Sequence, residues 1–156
     1  MIRKIDFHEL STLKYIYSIL YQLDNTDRVN IVHNFKSFEE FLTYSDGVYI
    51  HIDDAYEKAE LPKINGLICI KRDNPSNDYA MYSIDILYIA SWANSGDKYK
   101  VLYELINTAI YDKKDLPIFI WLSKPVKPEF EIVLNACNFK IKYECLNACV
   151  YYRFVE

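Results

Sequence analysis

Tyr79-Ala80-Met81-Tyr82-Ser83-Ile84-Asp85-Ile86-Leu87-Tyr88-Ile89-Ala90 is a long, largely apolar run rich in residues that favour extended backbone. It is too continuous for a strand with one wet face, so it predicts a central strand covered on both sides. Downstream, residues 98–113 carry Val101, Leu102, Leu105, Ile106, Ala109 and Ile110 on one face of a helix. Residues 116–122 then form a second buried strand. Strand, helix and strand in that order make a crossover, and a crossover joins strands that run parallel.

The flanks extend this core. Residues 2–5 predict a short strand. Asp6 and Glu9 have capping-box spacing ahead of a helix bearing Leu10, Leu13, Tyr17, Leu20 and Leu23. Ser37 and Glu40 repeat the spacing before a short helix that Gly47 is placed to end. Residues 48–52 and 64–71 read as strands, 53–63 as a charged loop, and 73–78 as a turn by composition. After Lys124-Pro125-Val126-Lys127-Pro128, a short helix carries Phe130, Val133, Leu134 and Cys137. Residues 140–145 and 149–155 close the chain as a hairpin. The predicted order is β-α-α-β-β-β-α-β-α-β-β. This is an α+β class with a mixed sheet of six or seven strands, helices on both faces, and one domain over 1–156.

The 156 residues hold 18 Lys and Arg against 22 Asp and Glu, a net charge of −4. An acidic chain lacks the basic footprint that nonspecific nucleic-acid binding needs. No apolar run approaches the ~20 residues that span a bilayer, and the N-terminus lacks the apolar stretch of a signal peptide. The expected setting is cytoplasmic, with no membrane and no nucleic-acid partner. Tyr alone accounts for 15 residues. With abundant Asn, Lys and Ile this points to AT-rich coding, as in a low-GC bacterium, a phage or a protist; for a phage the setting is the host cytoplasm. Cys145 and Cys149 are spaced C-x3-C, but His8, His33 and His51 form no ligand pattern with them. The cysteines are read as reduced, metal-free thiols, with no metal among the site residues.

The order of elements resembles the GNAT N-acetyltransferase superfamily over essentially the whole chain. Ile84-Asp85-Ile86-Leu87-Tyr88-Ile89 is similar to that family's fourth strand, which often reads Ile-Glu-x-Leu-Tyr-Val. Leu134-Asn135-Ala136-Cys137-Asn138-Phe139 is similar to its Tyr-x-x-x-Gly-Phe segment, with Asn in place of the left-handed Gly. The resemblance implies acetyl-CoA as co-substrate and an amine as acceptor, either a small molecule or a protein amine. It places the main chain of Leu87 and Ile89 against pantetheine. Asp85 falls where the family often has Glu; it reads as general base or water-orienting group, or else as a rim or buried structural carboxylate.

The pyrophosphate loop departs from the family's Gln/Arg-x-x-Gly-x-Gly/Ala. The corresponding stretch is Asn94-Ser95-Gly96-Asp97-Lys98-Tyr99. An inward Asp97 would repel pyrophosphate, and Tyr99 would obstruct the close approach that Gly permits. Ser95 and Gly96 could instead form an anion nest with Lys98 pairing to phosphate, and Asp97 reads best as a helix cap. The donor Tyr of the family is replaced by Leu134, with Tyr143 as a candidate substitute. Two functions follow from the resemblance. One is a divergent acyl-CoA-dependent N-acetyltransferase. The other is a GNAT-fold protein without catalysis that binds a protein partner as an inhibitor, adaptor or structural component.

Overall fold

A computed structural model describes residues 1–23, 29–31, 35–43, 47–76, 79–90, 95–113 and 116–153. The elements are β1 (Ile2–Lys4), α1 (Leu10–Tyr21), β2 (Val29–Ile31), α2 (Phe38–Leu42), β3 (Val48–Ile52), β4 (Ile64–Ser76), β5 (Tyr79–Ile89), α3 (Ser95–Asp112), β6 (Ile118–Ser123), α4 (Pro128–Ala136), β7 (Lys140–Glu144) and β8 (Ala148–Arg153). A short 3-10 helix, Asp54–Tyr56, sits within the charged loop. Seven strands lie in the order β1-β3-β4-β5-β6-β8-β7, and β2 pairs with β5 off this path. The two strands joined by α3 run parallel, with Tyr82 opposite Ile118 and Ile84 opposite Ile120, as a crossover requires. The other pairings are antiparallel.

The central run of apolar residues is explained by two cores on opposite faces of the sheet. Ile84, Leu87 and Ile89 of β5 pack with Leu102, Leu105 and Ile106 of α3 and Phe130 and Leu134 of α4. Ile86 and Tyr88 face the other way, toward Leu13 and Ile16 of α1 and Phe41 of α2. Each fully buried Leu or Ile contributes about 2 kcal/mol by leaving water. The start of α2 and the end of α4 carry the predicted chemistry, whereas α1 starts after Glu9, which makes no side-chain cap bond, so Asp6 is not its cap. Ser37 accepts from the Glu40 N–H at 3.2 Å. Glu9 accepts from the Asp6 N–H at 2.8 Å, in the turn just ahead of α1. Beyond α4, Asn138 takes φ 66°, the Phe139 N–H reaches the Leu134 carbonyl, and the Asn138 N–H reaches that of Asn135. This is a full Schellman closure, and the buried Phe139 packs in the same core as Leu134.

Apart from strand ends that move by one or two residues, three features differ from the sequence reading. Residues 73–76 belong to β4 and not to a turn: Asp73 pairs with Met81 and Ser76 with Tyr79. The register shifts between those pairs, so Asn74 and Pro75 fall in a bulge, where a residue without an N–H is tolerated. The remaining turn positions, 77–78, lie outside the described residues. Helix α3 begins at Ser95, three residues earlier than the apolar stripe alone suggests. β2 has no counterpart in the predicted order, because three residues carry too little pattern to be seen.

Gly47 lies where the chain entering β3 crosses β4. A Cβ there would sit inside the Ile70 carbonyl group, a main-chain atom that cannot move aside. Gly47→Ala is expected to cost about 3 kcal/mol, the upper part of the overpacking range. Chemical denaturation with unchanged m-value is the check. The cysteines give a second test. Cys145 is exposed, whereas Cys69, Cys137 and Cys149 are buried. Burial raises all three buried thiols, Cys137 to about 11. At pH 8 one thiol should react promptly with an aromatic disulfide reagent, and the other three only as the chain unfolds.

Candidate functional site

The site is made by a slip in the central ladder. On β4, Ile70 pairs with Ile84 and Cys69 with Ile86, which leaves Asp85 as an extra residue in β5. Such a bulge reverses the alternation of the strand beyond it. Before it, the Tyr82 N–H donates to Pro117 ahead of β6; after it, the Ala90 N–H donates to Asn65 ahead of the β4 pairs. Main-chain groups alternate sides, so those of Leu87 and Ile89 face away from β4. β5 and β6 pair only as far as Ile84 and Ile120; beyond, β6 runs on against β8 alone. The strands part, and the edge bearing Leu87 and Ile89 opens into the wedge between them.

That edge is partly covered. β2 pairs with it antiparallel, Val29 opposite Tyr88, Asn30 opposite Leu87 and Ile31 opposite Ile86. Leu87 therefore already has a main-chain partner across the wedge. Asp85, at the bulge, is buried and accepts a hydrogen bond from the Ser83 hydroxyl at 2.8 Å. It lies near enough to Cys69 for its charge to add to the burial that raises that thiol. The bulge thus holds a carboxylate at the point where the strands separate, and Ser83 fixes its orientation.

The N-terminus of α3 stands beyond the end of β5. Asn94 lies outside the described residues. Ser95, Gly96, Asp97, Lys98 and Tyr99 are already helical, so the stretch read as a loop is the first turn of α3. Asp97 is its third residue and not its cap; exposed there, its charge complements the positive helix end. Lys98 is drawn away from any phosphate: its ammonium meets Glu129 of α4 at 2.8 Å, with both side chains about four-fifths buried at 19% and 18% exposure. Tyr99 is exposed. Leu134 is fully buried in the core. Tyr143 is exposed on edge strand β7, which pairs with β8 and not with β5 or β6. Among the described residues, no group of three or more His, Cys, Asp or Glu could hold a metal ion.

No family model matches the sequence, and no curated protein matches it significantly. Solved structures do match. The NatC complex bound to Gag peptide and CoA has a chain superimposing with TM-score 0.66 at 13% identity, over 97% of this chain and 94% of that one. Arabidopsis thaliana NAA60 in complex with acetyl-CoA gives 0.64 at 11% identity, over 99% of both chains. An N-acetyltransferase from Staphylococcus aureus Mu50 gives 0.61 at 14%, over 100% and 98%. The fold is the GNAT N-acetyltransferase fold.

Within this GNAT fold, two features at the wedge were not readable from residue types. Ser83 as the partner of Asp85 needed the bulge, although the i, i+2 spacing was a usable hint. The β2 contact joins residues more than 50 positions apart, and no local signal marks it. Asn30→Pro removes the N–H that β2 offers to this edge. The bond lost is the one to the Leu87 carbonyl, and it loosens β2 as a whole, so exchange of the Leu87 amide, which donates back to Asn30, should accelerate by about fivefold, the worth of roughly one main-chain hydrogen bond. The Ile86 and Tyr88 amides, which face β4, should keep their protection.

Proposed function

We propose that the chain is an acyl-CoA-dependent N-acetyltransferase acting on an amine, with Asp85 as proton acceptor. The observation that carries this is the parting of β5 from β6 beside a buried carboxylate, with the main chain of Leu87 and Ile89 turned to the opened edge. Acetyl-CoA would bring the activated acetyl group. The edge of β5 supplies main-chain donors and acceptors for an extended amide-bearing arm, and the first turn of α3 supplies N–H groups for phosphate. An amine attacks an acyl carbon only when neutral, so Asp85, held by Ser83, takes its proton directly or through water. Substrate choice stays at the level of an amine. Structural neighbours that act on peptides or carry peptide ligands share only the fold with this chain.

A second reading is favoured by two specific observations. β2 occupies the edge opposite Leu87, and Lys98 is committed to Glu129. A GNAT-fold protein without catalysis, which binds a protein partner, needs neither the edge nor the cation to be open. For the enzyme reading, β2 has to leave β5 as the acyl donor enters.

Calorimetric titration with acetyl-CoA, followed by release of free CoA in the presence of a panel of primary amines, separates the two. The enzyme reading expects saturable acetyl-CoA binding that tightens in Asn30→Pro. It also expects Asp85→Asn to lower kcat by about 100-fold while leaving the acetyl-CoA Kd unchanged. Absence of acetyl-CoA binding in both the native chain and Asn30→Pro would overturn the enzyme reading.

A further inference from the structure

The side of the sheet that faces α1 and α2 carries a row of side chains belonging to neither core. On β6, Ile118, Ile120 and Leu122 are buried on the α3 side, so Phe119 and Trp121 turn the other way. Trp121 is 49% exposed, although β6 is an interior strand. The register fixes where it stands. Ser83 lies opposite Phe119 and Ile84 opposite Ile120, so Asp85 and Trp121 are the next positions, one on each side of the opening wedge. The bond from the Ser83 hydroxyl holds the Asp85 carboxylate on the face of Ser83, which is also the face of Phe119 and Trp121. Trp121 in turn lies opposite Val150 of β8, and Val150 opposite Tyr143 of β7. Asp85, Trp121, Val150 and Tyr143 thus make one line across β5, β6, β8 and β7. Val150 is half-buried and Tyr143 exposed. At the far end stands the Lys142 ammonium, 4.5 Å from the centre of the Tyr152 ring and 6.0 Å from that of Tyr143.

We propose that this row receives the acceptor amine and selects a monoamine with an aromatic ring close to its nitrogen. The inference rests on the reading of Asp85 as proton acceptor and names the substrate class of that same site. The nitrogen has to reach the Asp85 carboxylate, directly or through a water, to lose its proton. Whatever the nitrogen carries then lies over the neighbouring strand, where Trp121 stands. Strands are about 5 Å apart before the wedge widens, so a ring roughly one or two carbons from the nitrogen falls on the indole. Two aromatic faces gain more from contact than their buried area alone provides. Half an indole left in water on an interior strand forgoes burial, and a bound ring restores it. Val150 and Tyr143 continue the surface beneath a substituent on that ring. A second ammonium at the other end of the ligand would meet Lys142, so the row discriminates against diamines.

The test measures amine binding and acetyl transfer separately. Phenethylamine, n-butylamine and putrescine are titrated calorimetrically into the whole chain, and release of free CoA from acetyl-CoA gives kcat and KM for each. Both measurements are repeated on Trp121→Ala and Trp121→Phe, with matched melting temperatures confirming that the variants fold. Phenethylamine is expected to bind best. Trp121→Ala should raise its Kd and KM by about tenfold with kcat retained, the mark of lost binding that ground state and transition state share. The same change should leave n-butylamine within about twofold, and Trp121→Phe should recover most of the loss. Asp85→Asn gives the opposite split, in kcat and not in KM. An aromatic preference that survives Trp121→Ala, or n-butylamine or putrescine used as well as phenethylamine, overturns this inference and leaves the acyltransferase reading standing. Phenethylamine binding that needs Trp121, with no CoA released by any amine, keeps the row as an aromatic-amine site and overturns the acyltransferase reading. No phenethylamine binding up to millimolar concentration overturns the inference whatever the other amines do.

Discussion

One inserted residue in the central strand organises this molecule. The β4–β5 register skips Asp85, and the slip it causes exchanges the faces of everything after it. Ile84 and Leu87, three apart, consequently point into the same core against α3, whereas Ile86 and Tyr88 point to α1 and α2. An uninterrupted strand would send Ile86 and Tyr88 to the α3 face. The bulge also bends β5, and bending a strand in the middle of a sheet separates it from one neighbour. β4 keeps its ladder to the end of β5, and the parallel partner β6 is the one that departs.

Parting two central strands leaves main-chain donors and acceptors that must find partners. β2 is the answer in this structure, and it sets the energetics of anything else that would use the edge. A net main-chain hydrogen bond is worth about 1 kcal/mol when it replaces water, and close to nothing when it replaces an equivalent bond already made. A ligand arm entering beside Leu87 exchanges one set of bonds for another. Its affinity must therefore come from contacts beyond this edge, such as the positive end of the α3 dipole. With Lys98 paired to Glu129, that helix end offers phosphate its dipole and its N–H groups, while the exposed carboxylate of Asp97 stands within the same turn.

Much of this architecture was legible because it rests on strong local patterns. The apolar run of β5, the one-sided stripe of α3 and the Asn138-Phe139 closure of α4 each state their structure within a dozen residues. The parallel pairing of β5 and β6 then follows from the connection between them. What escaped is what tertiary context decides. Pro75 signals a turn unless a bulge excuses its missing N–H. Ser95, Gly96 and Asp97 resemble a loop by composition but are held in helical form by the rest of α3. β2 is only three residues, and its partner lies far along the chain. At the site, Asp85 was visible as a carboxylate in an apolar strand, but its bulge and its bond from Ser83 were not. Lys98 shows the limit clearly, because a lysine in the right turn was read as a phosphate ligand while Glu129, 31 positions later, takes its charge.

The two ends of α3 pose opposite electrostatic problems. Its N-terminus carries about half a positive charge and favours an anion unaided, whereas its C-terminus carries the matching negative charge and disfavours one. Asp112 adds a full negative charge at that C-terminal end, and Lys4 and the Tyr49 hydroxyl hold it in place. Lys4 pairs with Asp112, and Lys113, the residue after the helix, brings a cation to the negative end of α3. The two ends are thus stabilised by different means: the N-terminal turn by the acidic side chain of Asp97, and the C-terminal end by lysines from β1 and from the residue that follows the helix.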